Sequence, residues 1–312
     1  MTRASRLPEV LNYLPVDHLD DEGVAAMARK LGTCFDCGPG DFYLKSQWTF
    51  YPRYQVFSTA APAANGAPGG VPRPLFHVKK LWEDSPLKEV LGLHLLSRVF
   101  DRNLGPSDYV FGRYTAGKWL WKHVAWYLCT TWVDGSPLPP EFRRTGAVEF
   151  GGRDVTGEVW RALGRQYVAH EVLSLYDVED RHLLLAVDRV DRRVSLRRID
   201  LGLSFAHLDY GRYRGFEQVF KRADPLDHPE FGEGVEEERA KVVAALGRSE
   251  VVSQLRAALE VVTSLRDDHP LCRFAPPLTF KPKQFGRQLA DYWRRVVDWA
   301  PLAEVVAGVL TG

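Results

Sequence analysis

The sequence predicts an α+β chain: a small antiparallel-sheet lobe followed by a mainly helical large lobe. Three observations carry that expectation. Apolar strands dominate the part before Val133, apolar stripes at helical spacing dominate the part after it, and a single strand pair interrupts the helical part between Leu183 and Ile199. The 312 residues, 45% of them apolar, suffice for one or two domains with a sizeable core. The expected division is an N-terminal extension over residues 1–40, a strand-rich lobe over 41–133 and a helical lobe over 134–312.

Each element has its own reason. Leu75 to Leu81 reads as an apolar strand ending in lysine, with Phe76, Val78 and Lys80 on one face and His77 and Lys79 on the other. Upstream, Thr49 to Thr59 suits a glycine-poor hairpin, and the Gly/Pro/Ala-rich run Ala60 to Pro74 reads as a mobile loop between strands. A helix starts at Ser85-Pro86, a capping hydroxyl before a first-turn proline, and Leu87, Leu91, Leu95 and Val99 make its buried stripe. Tyr127 to Val133 is a strand that breaks at the turn Asp134-Gly135-Ser136-Pro137. Gly157 to Tyr176 repeats Val159, Leu163, Tyr167, Val168, Val172 and Leu175 at helical spacing. Leu183 to Val187 and Val194 to Ile199 are strands joined by the polar turn Asp188 to Arg193. Farther on, Val251, Leu255, Leu259 and Val262 describe an amphipathic helix, and Phe285 to Val309 another.

The strand pair is where chemistry concentrates. Asp180-Arg181-His182 precedes it and Asp200-Leu201-Gly202 follows it, so an acid stands at each end of a short ribbon. Phosphoryl transfer needs two such acids, one to orient a hydroxyl and one to hold a metal bridging the phosphates. Those roles fall to Asp180, with His182 in the same motif, and to Asp200. A strand-terminal lysine can reach phosphates as a point charge, and the more apolar face of its strand suits a nucleotide cleft, which favours Lys80 with Lys79 as the alternative. Glu89, in the first two turns of its helix, can ion-pair with that lysine, or can simply be an acid favoured by the helix dipole. Between Thr131 and Val133 the breaking strand offers backbone groups to an adenine edge, although any strand leaving a sheet looks alike.

Taken together, the order Lys80, Glu89, Thr131 to Val133, Asp180-Arg181-His182 and Ile199-Asp200-Leu201-Gly202 resembles the protein-kinase-like superfamily, nearest to its phosphatidylinositol-kinase-like and HipA-like branches. The resemblance covers roughly residues 41–210. It implies a bilobal protein-kinase-like fold, ATP and Mg²⁺ as cofactors, Asp180 as the catalytic acid of an Asp-Arg-His motif and Asp200 as the metal ligand. The function implied is ATP-dependent transfer of the γ-phosphate to a hydroxyl acceptor, whether lipid headgroup, protein or metabolite. One departure is serious. Where the family carries a metal-binding asparagine, five residues after the catalytic acid, this chain has Leu185, which cannot coordinate a hard cation. A single metal on Asp200, substitution by Asp188 or Glu179, and loss of transfer altogether are the three consequences to weigh. The last describes a pseudokinase serving as a scaffold for a protein partner. A glycine-rich G-x-G-x-x-G loop and an Ala-Pro-Glu triplet are also missing, which argues against an ordinary protein kinase.

Composition narrows the remaining classes. With 41 basic and 40 acidic residues the net charge is +1, so no global field attracts nucleic acid or an anionic membrane. Trp119, Trp121, Trp126 and Trp132 beside Lys118 and Lys122 could stack single-stranded bases, but aromatics in a strand region are more often core. No apolar run is long enough for a membrane span and the N-terminus carries no export signal, so a cytoplasmic location is expected. Cys34 and Cys37 form one Cys-x-x-Cys pair without a second, better read as two thiols in a turn than as zinc ligands. Arg212, Arg214, Lys221 and Arg222 could grip a phosphate-bearing substrate, or form a solvated face balanced by the acidic run Glu233 to Glu238.

Overall fold

Alternating apolar residues in the first part of the chain build an antiparallel sheet in the order β1-β2-β3-β5-β4. Its strands are β1 (Phe42–Gln47), β2 (Arg53–Ser58), β3 (Pro74–Leu81), β4 (Tyr109–Ala116) and β5 (His123–Thr131). The computed structural model describes residues 10–33, 36, 38, 40–47, 53–58, 74–81, 86–100, 104–116, 123–175, 180–188, 193–201, 204–205, 208, 224–267, 269–272, 280–296 and 299–311. Contacts divide the chain into a sheet unit, Met1–Pro86 with Ser107–Trp132, and a helical unit, Leu87–Pro106 with Val133–Gly312. This is the α+β class expected, with a small antiparallel sheet in one unit and mainly helices in the other.

In the sheet unit, one face presents Val56, Phe76, Val78, Val110, Tyr127 and Cys129 to the helix α1 (Asp21–Lys30), which contributes Val24, Ala25, Met27 and Ala28. That helix is well specified locally. Asp20 caps it by accepting from the Gly23 N–H, Asp21 and Glu22 occupy its first turn, and Arg29 and Lys30 its last, all matching the dipole. Part of the expected N-terminal extension is thus built into this unit. Residues before α1 also close the outer edge of β4: the Leu14 and Val16 N–H groups donate to the Phe111 and Arg113 carbonyls, and Thr115 donates back to Asp17. An edge paired this way no longer offers itself to another chain.

The helical unit begins with α2 (Pro86–Arg98), which is buried almost all round. The expected stripe Leu87, Leu91, Leu95 and Val99 is inside, and so are Val90, Leu93 and Leu96, as befits a central rather than a surface helix. Two long helices, α3 (Thr156–Leu173) and α4 (Pro229–Leu246), pack closely side by side. Glycines allow the approach: a Cβ on Gly164 would stand 2.1 Å from the Phe231 carbonyl oxygen, and one on Gly234 would stand 2.0 Å from that of Arg161. Along the seam Glu233 pairs with Arg161, Glu237 with Arg165, and Glu171 with Arg239. Glu233 and Glu237 of the acidic run thus serve α3; the basic face expected at Tyr210 to Arg222 lies outside the described residues.

Helix α5 (Ser249–Ser264) buries Val251, Leu255, Leu259 and Val262 as expected. The single helix expected over Phe285 to Val309 is in fact two, α6 (Pro282–Arg295) and α7 (Ala300–Thr311). Pro301 is the cause. It has no N–H to give and its ring clashes with a preceding carbonyl, so it is tolerated in the first turn of α7 but not in mid-helix. Likewise α3 stops at Leu173, short of the expected Tyr176, because Ser174 takes a left-handed cap with φ 46°. Among the described residues no helix is long and apolar enough to cross a membrane.

Candidate functional site

Beyond the left-handed Ser174, Asp180–His182 forms a single 3₁₀ turn that runs straight into β7 (Leu183–Val187). Strand β7 pairs antiparallel with β8 (Val194–Arg198), with Leu183 opposite Arg198 and Val187 opposite Val194. The ladder continues by one step, since the Ile199 N–H donates to the His182 carbonyl at 3.0 Å. Asp200 is the next residue. The backbone thus brings the turn of Asp180 and His182 and the half-buried Asp200 to the same end of one hairpin, rather than one acid to each end of the ribbon. Gly202 and Glu179 lie outside the described residues.

The same register disposes of one substitute ligand. Asp188 sits at the turn end of the hairpin, where its N–H donates to the Arg193 carbonyl at 2.9 Å. A five-residue strand at about 3.3 Å per residue puts roughly 17 Å between the two ends, too far for Asp188 and Asp200 to share a cation. Nor do the described residues contain any group of three or more His, Cys, Asp or Glu able to hold a metal. Leu185 is in mid-strand, opposite Leu196 on one side and Ser136 of β6 (Ser136–Pro137) on the other, and 2% exposed. A side chain there serves the core. Magnesium commonly keeps several waters and takes only one or two protein carboxylates with substrate phosphates, so Asp200 alone remains a chemically adequate donor.

Beneath β8 lies a buried polar group that the sequence reading missed. Gln166 of α3 is 0% exposed, and its amide donates to the Leu196 carbonyl of β8 at 2.7 Å and to the Leu104 carbonyl, beyond the end of α2, at 2.8 Å. Its own oxygen faces Arg198 Nε at 3.4 Å, and Arg198 is likewise 0% exposed. His170, one turn along α3, is held well below the usual histidine range by burial first and by the Arg198 guanidinium second. A neutral imidazole there spares Arg198 a like-charge neighbour. The one available signal was the alternation that set Arg198 on the inward face of β8 with Leu196. Glutamine inside a helix gives none.

Glu89 is on α2 in the helical unit and is buried, at 6% exposure, beside the equally buried Lys88. Lys79 and Lys80 belong to the sheet unit. On β3, Lys80 shares the face of Phe76 and Val78, and burial pulls its ammonium below the usual lysine range. That apolar face, expected to line a cleft, is the one that packs against α1. Its apolarity therefore records core packing and cannot by itself choose between the two lysines. At the end of β5 the Thr131 N–H is committed to the Asp108 carbonyl at 3.1 Å. The Thr131 hydroxyl accepts from the Ser107 N–H at 2.9 Å. Val133 takes part in none of the backbone hydrogen bonds found among the described residues. Two residues farther on, Gly135 adopts φ 144°, and a Cβ there would stand 2.9 Å from the Leu185 carbonyl oxygen, so only glycine lets β6 lie against β7. Cys34 and Cys37 lie outside the described residues, whereas Cys129 and Cys272 are buried free thiols.

No family model matches this chain, and no curated protein does. Among solved structures it is similar to Rad53 1-466 in complex with AMP-PNP, at 14% identity and a TM-score of 0.28 over 86% of this chain and 64% of that one. It thus spans less than two thirds of that protein. It is also similar to the MAP kinase LmaMPK10 from Leishmania major, at 16% identity and a TM-score of 0.30 over 92% of this chain and 99% of that one. Likenesses at such TM-scores add no weight to a reading of fold or chemistry, which rests on the residues themselves.

Proposed function

We propose that this chain is an atypical kinase of the phosphatidylinositol-kinase-like or HipA-like kind, moving the γ-phosphate of ATP to an unidentified hydroxyl acceptor in the cytoplasm. The observation that carries the reading is the hairpin β7–β8, which sets the Asp-Arg-His turn and Asp200 at one end of a single ladder. Asp180, with His182 in the same turn, takes the role of positioning the acceptor hydroxyl and receiving its proton. Asp200 would hold Mg²⁺, which would supply charge to neutralise the phosphates. Lys80, or Lys79 in its place, reaches the α and β phosphates, and Glu89 steadies it. Val133 offers its backbone to the adenine edge, with Thr131 shaping the approach through its side. In this reading residues 41–133 act as the nucleotide lobe, 134–312 as the catalytic lobe, and 1–40 precede them.

The test is Asp180→Ala assayed for ATP turnover and for phosphate transfer to candidate lipid headgroups, proteins and metabolites. Loss of transfer with ATP binding intact supports the assignment; unchanged transfer overturns it. A second reading, a pseudokinase that serves as a scaffold for a protein partner, is favoured by Leu185, whose burial in mid-strand leaves the usual second metal position to carbon. Should Leu185→Asn create or sharply raise ATP turnover in a folded protein, that second reading gains.

A further inference from the structure

Strand β8 could be fixed to α3 by apolar packing alone, as most strands are fixed to helices. Instead the contact is polar. Both hydrogens of the Gln166 amide are spent on main-chain carbonyls, one in β8 and one beyond the end of α2, while its oxygen faces the buried Arg198. Burying an arginine carries a large desolvation cost that an aliphatic residue would avoid. Leu or Met at both positions would fill similar space without that cost.

What the polar arrangement supplies is position. Apolar surfaces slide over one another by fractions of an ångström with little penalty, whereas two amide hydrogen bonds of 2.7 and 2.8 Å into carbonyls fix distance and direction at once. The three residues joined here belong to, or follow, the elements that carry candidate residues. Arg198 is two residues before Asp200, Gln166 is on the helix whose end leads to the turn at Asp180, and Leu104 lies just beyond the helix that carries Glu89.

We infer that Gln166, acting with Arg198, is a positioning residue that sets the Asp200 end of β8 against α3 and the exit of α2, and thereby tunes metal binding at Asp200. This rests on the phosphotransfer reading for the role of Asp200, though not for the hydrogen-bond hub itself. Loss of a group that hydrogen-bonds a metal's ligand costs roughly tenfold or more in metal affinity, and Gln166 acts one step farther out, through the backbone of β8.

The experiment is a Mg²⁺ titration of thermal stability at saturating ATP, with a parallel ATP titration in chelator, on the wild type and on Gln166→Leu. The variant is expected to need roughly tenfold more Mg²⁺ for half its shift, with its metal-free ATP response unchanged. A merely structural role would lower the melting temperature and leave the Mg²⁺ midpoint in place, and that result would overturn the inference. If Gln166→Leu fails to fold, Gln166→Glu keeps the shape and an acceptor for Arg198 but loses both amide hydrogens, and its Mg²⁺ midpoint must rise in the same direction. Native-state hydrogen exchange on the wild type decides without any variant. The β8 amides should open together with those of α3 as one cooperative unit; β8 opening independently of α3 contradicts the hub. A wild type that gives no Mg²⁺-dependent response to ATP counts against the phosphotransfer reading instead, while the exchange measurement still judges the hub.

Discussion

The two units are held together by different kinds of interior. The sheet unit closes over Val56, Phe76, Val78, Val110 and Cys129 against α1, an apolar core of ordinary composition. Tyrosine hydroxyls apart, such as that of Tyr127 on the Leu14 carbonyl, the buried polar or charged side chains among the described residues, from Lys88, Glu89 and His94 to Gln166, His170, Arg198, Ser204 and Glu238, belong instead to the helical unit. Apolar burial stabilises without specifying fine geometry, whereas buried polar groups demand particular partners at particular distances. The contrast teaches that the helical unit fixes geometry around the hairpin, whereas the sheet unit is stabilised mainly by apolar burial.

The largest effect that would sharpen this contrast is in the apolar core. Phe76→Ala should cost about 3–5 kcal/mol in denaturant unfolding, through lost burial and the cavity left behind, without moving the Mg²⁺ midpoint of the folded protein. Next comes acid sensitivity in the helical unit. His94 is held neutral at a pKa of about 4, chiefly by burial and then by Arg98, although a backbone contact at Gln254 opposes the shift. The unfolded chain takes up its proton near pH 6.5 and the folded chain does not, so stability falls as pH drops from 6.5 toward 4. The loss amounts to roughly 3 kcal/mol across that window. His94→Leu should flatten this part of a stability–pH profile, and an unchanged slope would break the contrast. A smaller and more telling effect is expected from the double substitution Gln166→Leu with Arg198→Met. Replacing a buried polar pair by apolar residues should leave unfolding stability unchanged or raise it by about 1–2 kcal/mol, while weakening the Mg²⁺ response. The smallest belongs to the surface seam, where Arg165→Ala should cost no more than about 1 kcal/mol, an effect that fades in high salt, with no change in the nucleotide response.

The sequence made local features legible where one periodicity ruled. The hairpin Leu183–Val187 with Val194–Arg198, the stripe on α2 and the apolar face of α5 follow from alternation or helical spacing alone. Long-range competition hid the rest. The partners of Glu233 and Glu237 are arginines over seventy residues away, which charge runs along the chain do not announce. The apolar face of β3 was read as a ligand wall because no periodicity announces that α1 covers it. Gln166 was invisible for a related reason: a buried glutamine differs from an exposed one only in tertiary contacts, and its two carbonyl partners are 62 and 30 residues distant. The break between α6 and α7, by contrast, could have been read directly from Pro301.

The central claim is that the Asp200 end of the β7–β8 hairpin is a nucleotide-linked metal site. Its most direct test is the melting temperature of the purified protein with ATP, with and without Mg²⁺, beside Asp200→Ala. The account predicts a magnesium-dependent rise that vanishes in the variant; no rise at millimolar ATP, or a rise that Asp200→Ala leaves intact, would contradict it.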